Sequence, residues 1–170
     1  RAVAADLATG EAVVLGSGDL VTAMRASMAI PGAFAPVERE GRLLVDGGVA
    51  ENLPVEVARA MGVDVVIAVD ISAPLYTLDK LDNPAVIADQ MLTILMRRTT
   101  EERLSSLTLL DVGLVPKLDG FTSASFARAA EMIAIGHATA CEHRAQLARW
   151  SLSEAEWSVH QTARNSLTHE

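Results

Sequence analysis

Apolar residues in this chain fall into short blocks separated by glycine- and proline-bearing turns, and the blocks alternate between the two-residue period of strands and the wider period of helices. Residues 1–15 read as two β segments around Ala8-Thr9-Gly10, where Gly10 can supply the positive φ of a tight hairpin. Asp19 is placed to cap a helix over 19–29 that carries Leu20, Met24, Ser27 and Met28 on neighbouring turns and stops at Pro31-Gly32. Residues 34–37 and 42–45 flank Glu40-Gly41 as strand, turn and strand, and the second strand delivers Asp46 at its carboxyl end before Gly47-Gly48 break it. Pro54 presets a first helical turn, a short helix follows over 55–61, and Gly62 offers the left-handed stop.

The run Val-Asp-Val-Val-Ile-Ala-Val-Asp-Ile over 63–71 barely alternates, which predicts a strand buried on both faces. A loop over 72–83, a helix over 84–106, an alternating strand over 108–115, one long helix over 122–150 and a last amphipathic helix over 153–166 complete the pattern. Strands alternating with helices favour a doubly wound sheet and so an α/β fold class, with part of a mixed or mostly parallel sheet flanked by helices in three layers and a helical carboxyl-terminal region. Residues 1–116 form the sheet-bearing part and 117–170 a helical extension packing on it. The apolar face of the helix over 84–106, Val86, Ile87, Met91, Leu92, Ile94 and Leu95, reads as core-facing, with lipid contact as the alternative.

Composition narrows the functional classes. Half of the 170 residues are hydrophobic, too many for a disordered polyelectrolyte, yet no window approaches the roughly 18 apolar residues of a membrane span. The net charge of −8 argues against generic nucleic-acid binding or electrostatic adhesion to anionic lipid, so a lipid partner has to enter through a specific site. The single Cys141 has no intrachain disulfide partner, and no cluster of zinc ligands accompanies it. The chain starts at Arg1 and runs at once into Ala2-Val3-Ala4-Ala5, which reads as a cut through a domain. No charged-then-apolar leader precedes that stretch, so the expected location is the cytoplasm, peripheral to the membrane at most.

Ligands of open α/β sheets bind at the carboxyl ends of strands, which brings forward Asp46 and Asp70. Gly47 and Gly48 behind Asp46 either make a plain Asp-Gly turn or let another group come close to the carboxylate. Asn52 either orients the Asp46 loop or caps the helix at Pro54. Ser27, on a helix with no adjacent base, reads as a packing or capping group. His137 and Cys141 stand one helical turn apart without a second pair, and His143, His160 and His169 are scattered.

The stretch Arg25-Ala26-Ser27-Met28-Ala29-Ile30-Pro31-Gly32-Ala33-Phe34-Ala35-Pro36-Val37, followed by Leu44-Val45-Asp46-Gly47-Gly48-Val49-Ala50-Glu51-Asn52-Leu53-Pro54, resembles the second half of the patatin-like phospholipases, in particular the bacterial branch related to neuropathy target esterase. The likeness runs from residue 1 to about residue 75 and couples A-S-x-A-x-P-x-x-F-x-P to D-G-G-x-x-x-N-x-P. It implies a serine lipid acyl hydrolase acting on phospholipid or lysophospholipid esters through a Ser-Asp dyad, with Asp46 as the dyad acid, Gly47 and Gly48 completing its motif, and no cofactor. The family's nucleophile lies in an upstream G-x-S-x-G elbow that this sequence lacks, and Gly16-Ser17-Gly18 does not have its spacing. The chain alone is therefore expected to be inactive. Its expected partners are the acyl ester substrate, a transient membrane surface, and a second copy or the upstream half of the same protein. Two rival readings are a magnesium-dependent phosphotransferase built on Asp46 and Asp70, and a non-catalytic assembly fragment.

Overall fold

A computed structural model describes residues 1–122 and 125–167. Strands β1 (Ala2–Asp6) and β2 (Ala12–Leu15) form the expected antiparallel hairpin, in register from Ala2 opposite Leu15 to Ala5 opposite Ala12. Asp6 builds the turn. Its carbonyl accepts the Gly10 N–H at 2.7 Å and its Oδ1 accepts the Ala8 N–H at 2.9 Å, while Gly10 takes a φ of +76°. Helix α1 (Leu20–Ser27) starts at Asp19, whose Oδ2 accepts the Thr22 N–H at 2.6 Å. Strands β3 (Val37–Arg39) and β4 (Arg42–Asp46) are joined through Glu40 and Gly41, at φ of +52° and +75°, the pair of positive values that a two-residue hairpin of right-handed twist requires. Phe34 is not part of β3: the N–H groups of Ala33 and Phe34 turn back to the Ile30 carbonyl, so the strand begins only after Pro36.

These four strands make one antiparallel sheet in the order β2-β1-β4-β3. Helix α1 lies against it through Ala23 and Ala26, which pack with Ala4, Leu15 and Leu44 into the first core. Alanine on both sides lets backbones approach closely. Beyond β4 come α2 (Gly48–Glu51), α3 (Val55–Ala60) and β5 (Ile67–Val69), and α3 is closed by Gly62 at φ +78° as expected. Helix α4 (Pro84–Ser105) opens at Asn83, whose Oδ1 accepts the N–H groups of Ala85 and Val86. Strand β6 (Val112–Leu114) pairs with β5 in parallel, over a second core of Leu53, Val55, Val66 and Ala68. The α/β class is thus present as a mixed set of pairings: antiparallel in the four-stranded sheet, parallel between β5 and β6.

Four further expectations are corrected. The run 63–71 yields a three-residue strand buried on one face, with Ile67 49% and Val69 48% exposed, because among the described residues only β6 pairs with it and one side is covered. Strand β6 is shorter than the 108–115 expected, because Asp111 draws the Thr108 N–H and hydroxyl into a turn at 2.7 and 2.8 Å. Ile87, Met91, Ile94 and Leu95 of α4 face outward, and the buried residue of that helix is Thr100. The long helix over 122–150 is divided into α5 (Ala129–Glu142) and α6 (Arg144–Leu147), since His143 leaves helical geometry with its ring Nδ1 2.9 Å from the Thr139 carbonyl. Helix α7 (Glu154–Leu167) follows, opened by a reciprocal Ser153–Glu156 cap. No helix among the described residues is long and apolar enough to cross a membrane.

Asp111 ties the second unit together. Its side chain, with 0% exposure, accepts from Arg59 at 2.8 Å, from the Val66 N–H at 2.8 Å and from Thr108. The two backbone N–H groups, with Arg59, hold its carboxyl well below the usual carboxylate range despite burial. A depressed carboxylate pKa stabilises the fold at every pH above the ordinary value of 3.8 and loses that contribution as pH falls below it toward the folded-state value. Asp111→Asn is expected to cost about 3 kcal/mol or more in urea unfolding at pH 7, and the gap from the wild type should narrow below about pH 4.

Candidate active site

Asp46 is the last residue of β4, opposite Ala4 of β1, and its backbone N–H donates to the Ala29 carbonyl at 3.0 Å. The next amide, of Gly47, donates to the Ser27 carbonyl at 3.4 Å. The end of α1, the middle of β1 and the end of β4 therefore converge on the carboxylate. Ser27 contributes through its backbone, and the side chain on the same strand face as Asp46 is the buried Leu44.

The two glycines are required for space. Gly47 has the helical angles φ −62° and ψ −24°, which any residue adopts. A Cβ there would stand 2.2 Å from the Val3 carbonyl oxygen and 2.7 Å from its carbon, contacts with backbone that cannot swing aside. At Gly48 the added carbon would meet the Met96 methyl at 2.2 Å, Asn52 Oδ1 at 2.9 Å and Asp46 Oδ1 at 3.1 Å. The close approach here is of the Val3 backbone and the Met96 methyl to the glycines themselves, not of another group to the carboxylate, and positive φ angles have no part in it.

Asp46 Oδ1 accepts the Gly48 N–H at 2.8 Å, and Oδ2 has no hydrogen-bond partner among the described residues. Burial pushes the carboxyl's pKa up from 3.8, and the Gly48 N–H offsets part of that rise. The outcome is a half-buried carboxylate with one oxygen anchored, one free, and raised basicity. Such a group can take a proton from a hydroxyl brought against Oδ2.

Asn52 ends α2, and its amide reaches Ser72 Oγ and Thr100 Oγ1, both at 3.0 Å. It does not cap α3, whose N-terminal residue Pro54 has no side-chain cap. Glu51 beside it is ion-paired with Arg103 of α4. Asp70 is committed elsewhere: its Oδ1 accepts the Ser72 N–H at 2.9 Å and the Ser72 hydroxyl at 2.5 Å. No group of three or more His, Cys, Asp or Glu suited to a metal ion occurs among the described residues. His137 and Cys141 face each other at 3.9 Å on the surface of α5, His160 stacks on Trp157 at 5.6 Å between ring centroids, and His169 lies outside the described residues. Ser17 offers its carbonyl to Arg39, well away from the carboxylate in the chain's topology. Sequence reasoning missed Thr100, Ser72 and Arg103. Their one legible trace is that Met96, Thr100 and Arg103 fall at i, i+4 and i+7, on a single helical face.

Residues 8–59 match the sequence profile of the patatin-like phospholipase family. These residues are patatin-like. Over 71 residues, 42% of this chain, the sequence is 46% identical to an NTE family protein of Mycobacterium tuberculosis, of which the match spans 20%. Over 74 residues, also 42% of the chain, it is 40% identical to patatin-like phospholipase domain-containing protein 7 of Mus musculus, covering 6% of that protein. A second NTE family protein of M. tuberculosis is 44% identical over 69 residues, 12% of its length. The matches thus cover a fifth or less of these relatives. The patatin-like segment contains β4, the Asp-Gly-Gly turn and Asn52, and it ends before α4.

Gly47→Ala is expected to destabilise the fold by roughly 3 kcal/mol, the upper range for overpacking, because β1 backbone blocks the methyl. Gly48→Ala should cost less, about 1 kcal/mol, since the Met96 methyl can move away. Denaturant midpoints of the two variants check the order.

Proposed function

We propose that the chain supplies the general base of a serine lipid acyl hydrolase, with Asp46 as that base and a serine outside these 170 residues as its partner. The observation that supports this reading is the state of the Asp46 carboxylate: Oδ1 held by the Gly48 N–H, Oδ2 unpartnered among the described residues, and the pKa raised by burial. A free aspartate is a weak base for a serine hydroxyl, and partial burial moves it in the needed direction. In the reaction, Oδ2 takes the proton as the serine oxygen attacks the ester carbonyl. Collapse of the tetrahedral intermediate expels the alcohol, which receives that proton from Asp46. Water then repeats the sequence on the acyl-serine. The patatin-like phospholipase profile supports phospholipid or lysophospholipid esters as the substrate class, and on this reading the enzyme meets its substrate at a membrane surface.

In the full-length protein, Asp46→Asn should lower kcat by about 10² to 10⁴ or more with the fold retained, because an amide matches the carboxylate's shape but cannot accept the proton. Wild-type turnover in a folded Asp46→Asn protein removes the residue from the mechanism. The acid limb of kcat/KM should lie above pH 3.8, with activity lost as pH falls through it, since only the ionised carboxylate is a base. The 170-residue chain alone should not hydrolyse a nitrophenyl ester.

The outer surface supports a partner. Accessible area totals 11709 Å², against about 8,000 Å² for a compact monomer of this mass. Ile67, Val69 and Ile71 are exposed on and beside β5, whose second edge has no strand paired to it among the described residues. An uncovered apolar strand with free backbone groups pairs readily with another chain. The isolated chain should therefore sediment as a dimer or larger species, or bind the remainder of its own protein. A monomer throughout a dilution series is the contrary result.

A further inference from the structure

The Asn52 amide is held in one orientation by two hydroxyls whose protons are already engaged. Ser72 Oγ donates to Asp70 Oδ1 at 2.5 Å, and Thr100 Oγ1 donates to the Met96 carbonyl at 2.9 Å. Each hydroxyl therefore presents a lone pair toward Asn52, and only the amide nitrogen, with its two protons, satisfies both. That orientation leaves Asn52 Oδ1 on the Gly48 side, where Asp46 Oδ1 also points, the two oxygens standing 2.9 and 3.1 Å from where a Gly48 Cβ would be. Thr100 is 1% exposed in the last third of α4, and its bond to the half-buried Asn52 is partly shielded from water.

The same face of α4 meets the Asp46 turn at three successive points. Met96 covers Gly48, Thr100 holds Asn52, and Arg103 pairs with Glu51. We propose that Thr100 is a positioning residue for Asp46, acting through Asn52, so that α4 is a working part of the acyl-hydrolase site although it lies outside the patatin-like segment. This rests on Asp46 being the base. Without the Thr100 hydroxyl, one Asn52 N–H loses its acceptor in a partly buried site, a condition costly enough to make the amide rotate or withdraw. The α2 turn then loosens, and the Gly48 N–H no longer fixes Asp46 Oδ1. The carboxylate spends less time aligned with the hydroxyl it must deprotonate, which affects turnover and leaves substrate binding unchanged.

The test compares Thr100→Val, Thr100→Ser and Asp46→Asn in the full-length protein. Thr100→Val is expected to lower kcat by about tenfold with KM within about twofold, and Thr100→Ser, which keeps the hydroxyl, to restore it. Amide exchange at Gly48 should accelerate about tenfold in Thr100→Val while the Asp6 hairpin amide, bonded to the Glu11 carbonyl, keeps its protection. If the valine variant folds poorly, Ser72→Ala removes the other acceptor and should show the same changes. Unchanged Gly48 exchange and unchanged kcat in a folded Thr100→Val protein overturn the coupling. Full activity in Asp46→Asn instead overturns the base reading on which the catalytic role rests, and the exchange measurement still decides whether Thr100 holds the turn.

Discussion

The backbone of β1 lies so close to the residue after Asp46 that no Cβ can occupy the space, and the placement of the carboxylate follows from that contact. With Gly47 pressed against the Val3 carbonyl, β4 can end at the level of Ala4 and turn at once into α2. The amides of Asp46 and Gly47 are then spent on the carbonyls of Ala29 and Ser27, at the end of α1. Three elements thereby fix one short turn through backbone bonds, and the Asp46 side chain projects from a support that has little freedom of its own.

Around this turn and beyond it, buried and half-buried polar groups form two separate systems. One runs from Asp70 through Ser72 to Asn52 and Thr100, and it joins the end of β5 and the face of α4 to α2. The other is centred on Asp111, which gathers Arg59, Val66 and Thr108. The electrostatic outcomes differ in sign. Asp111 accepts several hydrogen bonds and is stabilised as an anion, whereas Asp46 accepts one against a larger loss of hydration and becomes more basic. The two carboxylates are thus told apart by how many donors face them.

The elements that could be read from the sequence are those written in local signals. The Ala8-Thr9-Gly10 turn, the Asp19 cap, the Glu40-Gly41 turn and the Gly62 stop each act within a few residues, and each appears where its chemistry places it. The Asp-Gly-Gly turn was legible as a place where a carboxylate ends a strand. The run 63–71 was misread because burial on both faces depends on neighbouring strands, and only one face of this strand is covered. The outward face of α4 was misread for the same reason: periodicity reveals a stripe but not what lies opposite it.

Sequence by itself determined where several turns fall, where α1, α3, α4 and α7 start to within a residue or so, and that Asp46 stands at a strand end followed by two residues without side chains. Those outcomes depend on φ preferences and on hydrogen bonds between near neighbours, which are present in any short stretch. Only the tertiary structure decided why the glycines are needed, which oxygen of Asp46 is anchored, and that Thr100, 48 residues beyond Asn52, holds its amide. Those depend on the approach of β1, α2 and α4 in space, and the distances between them are created by packing.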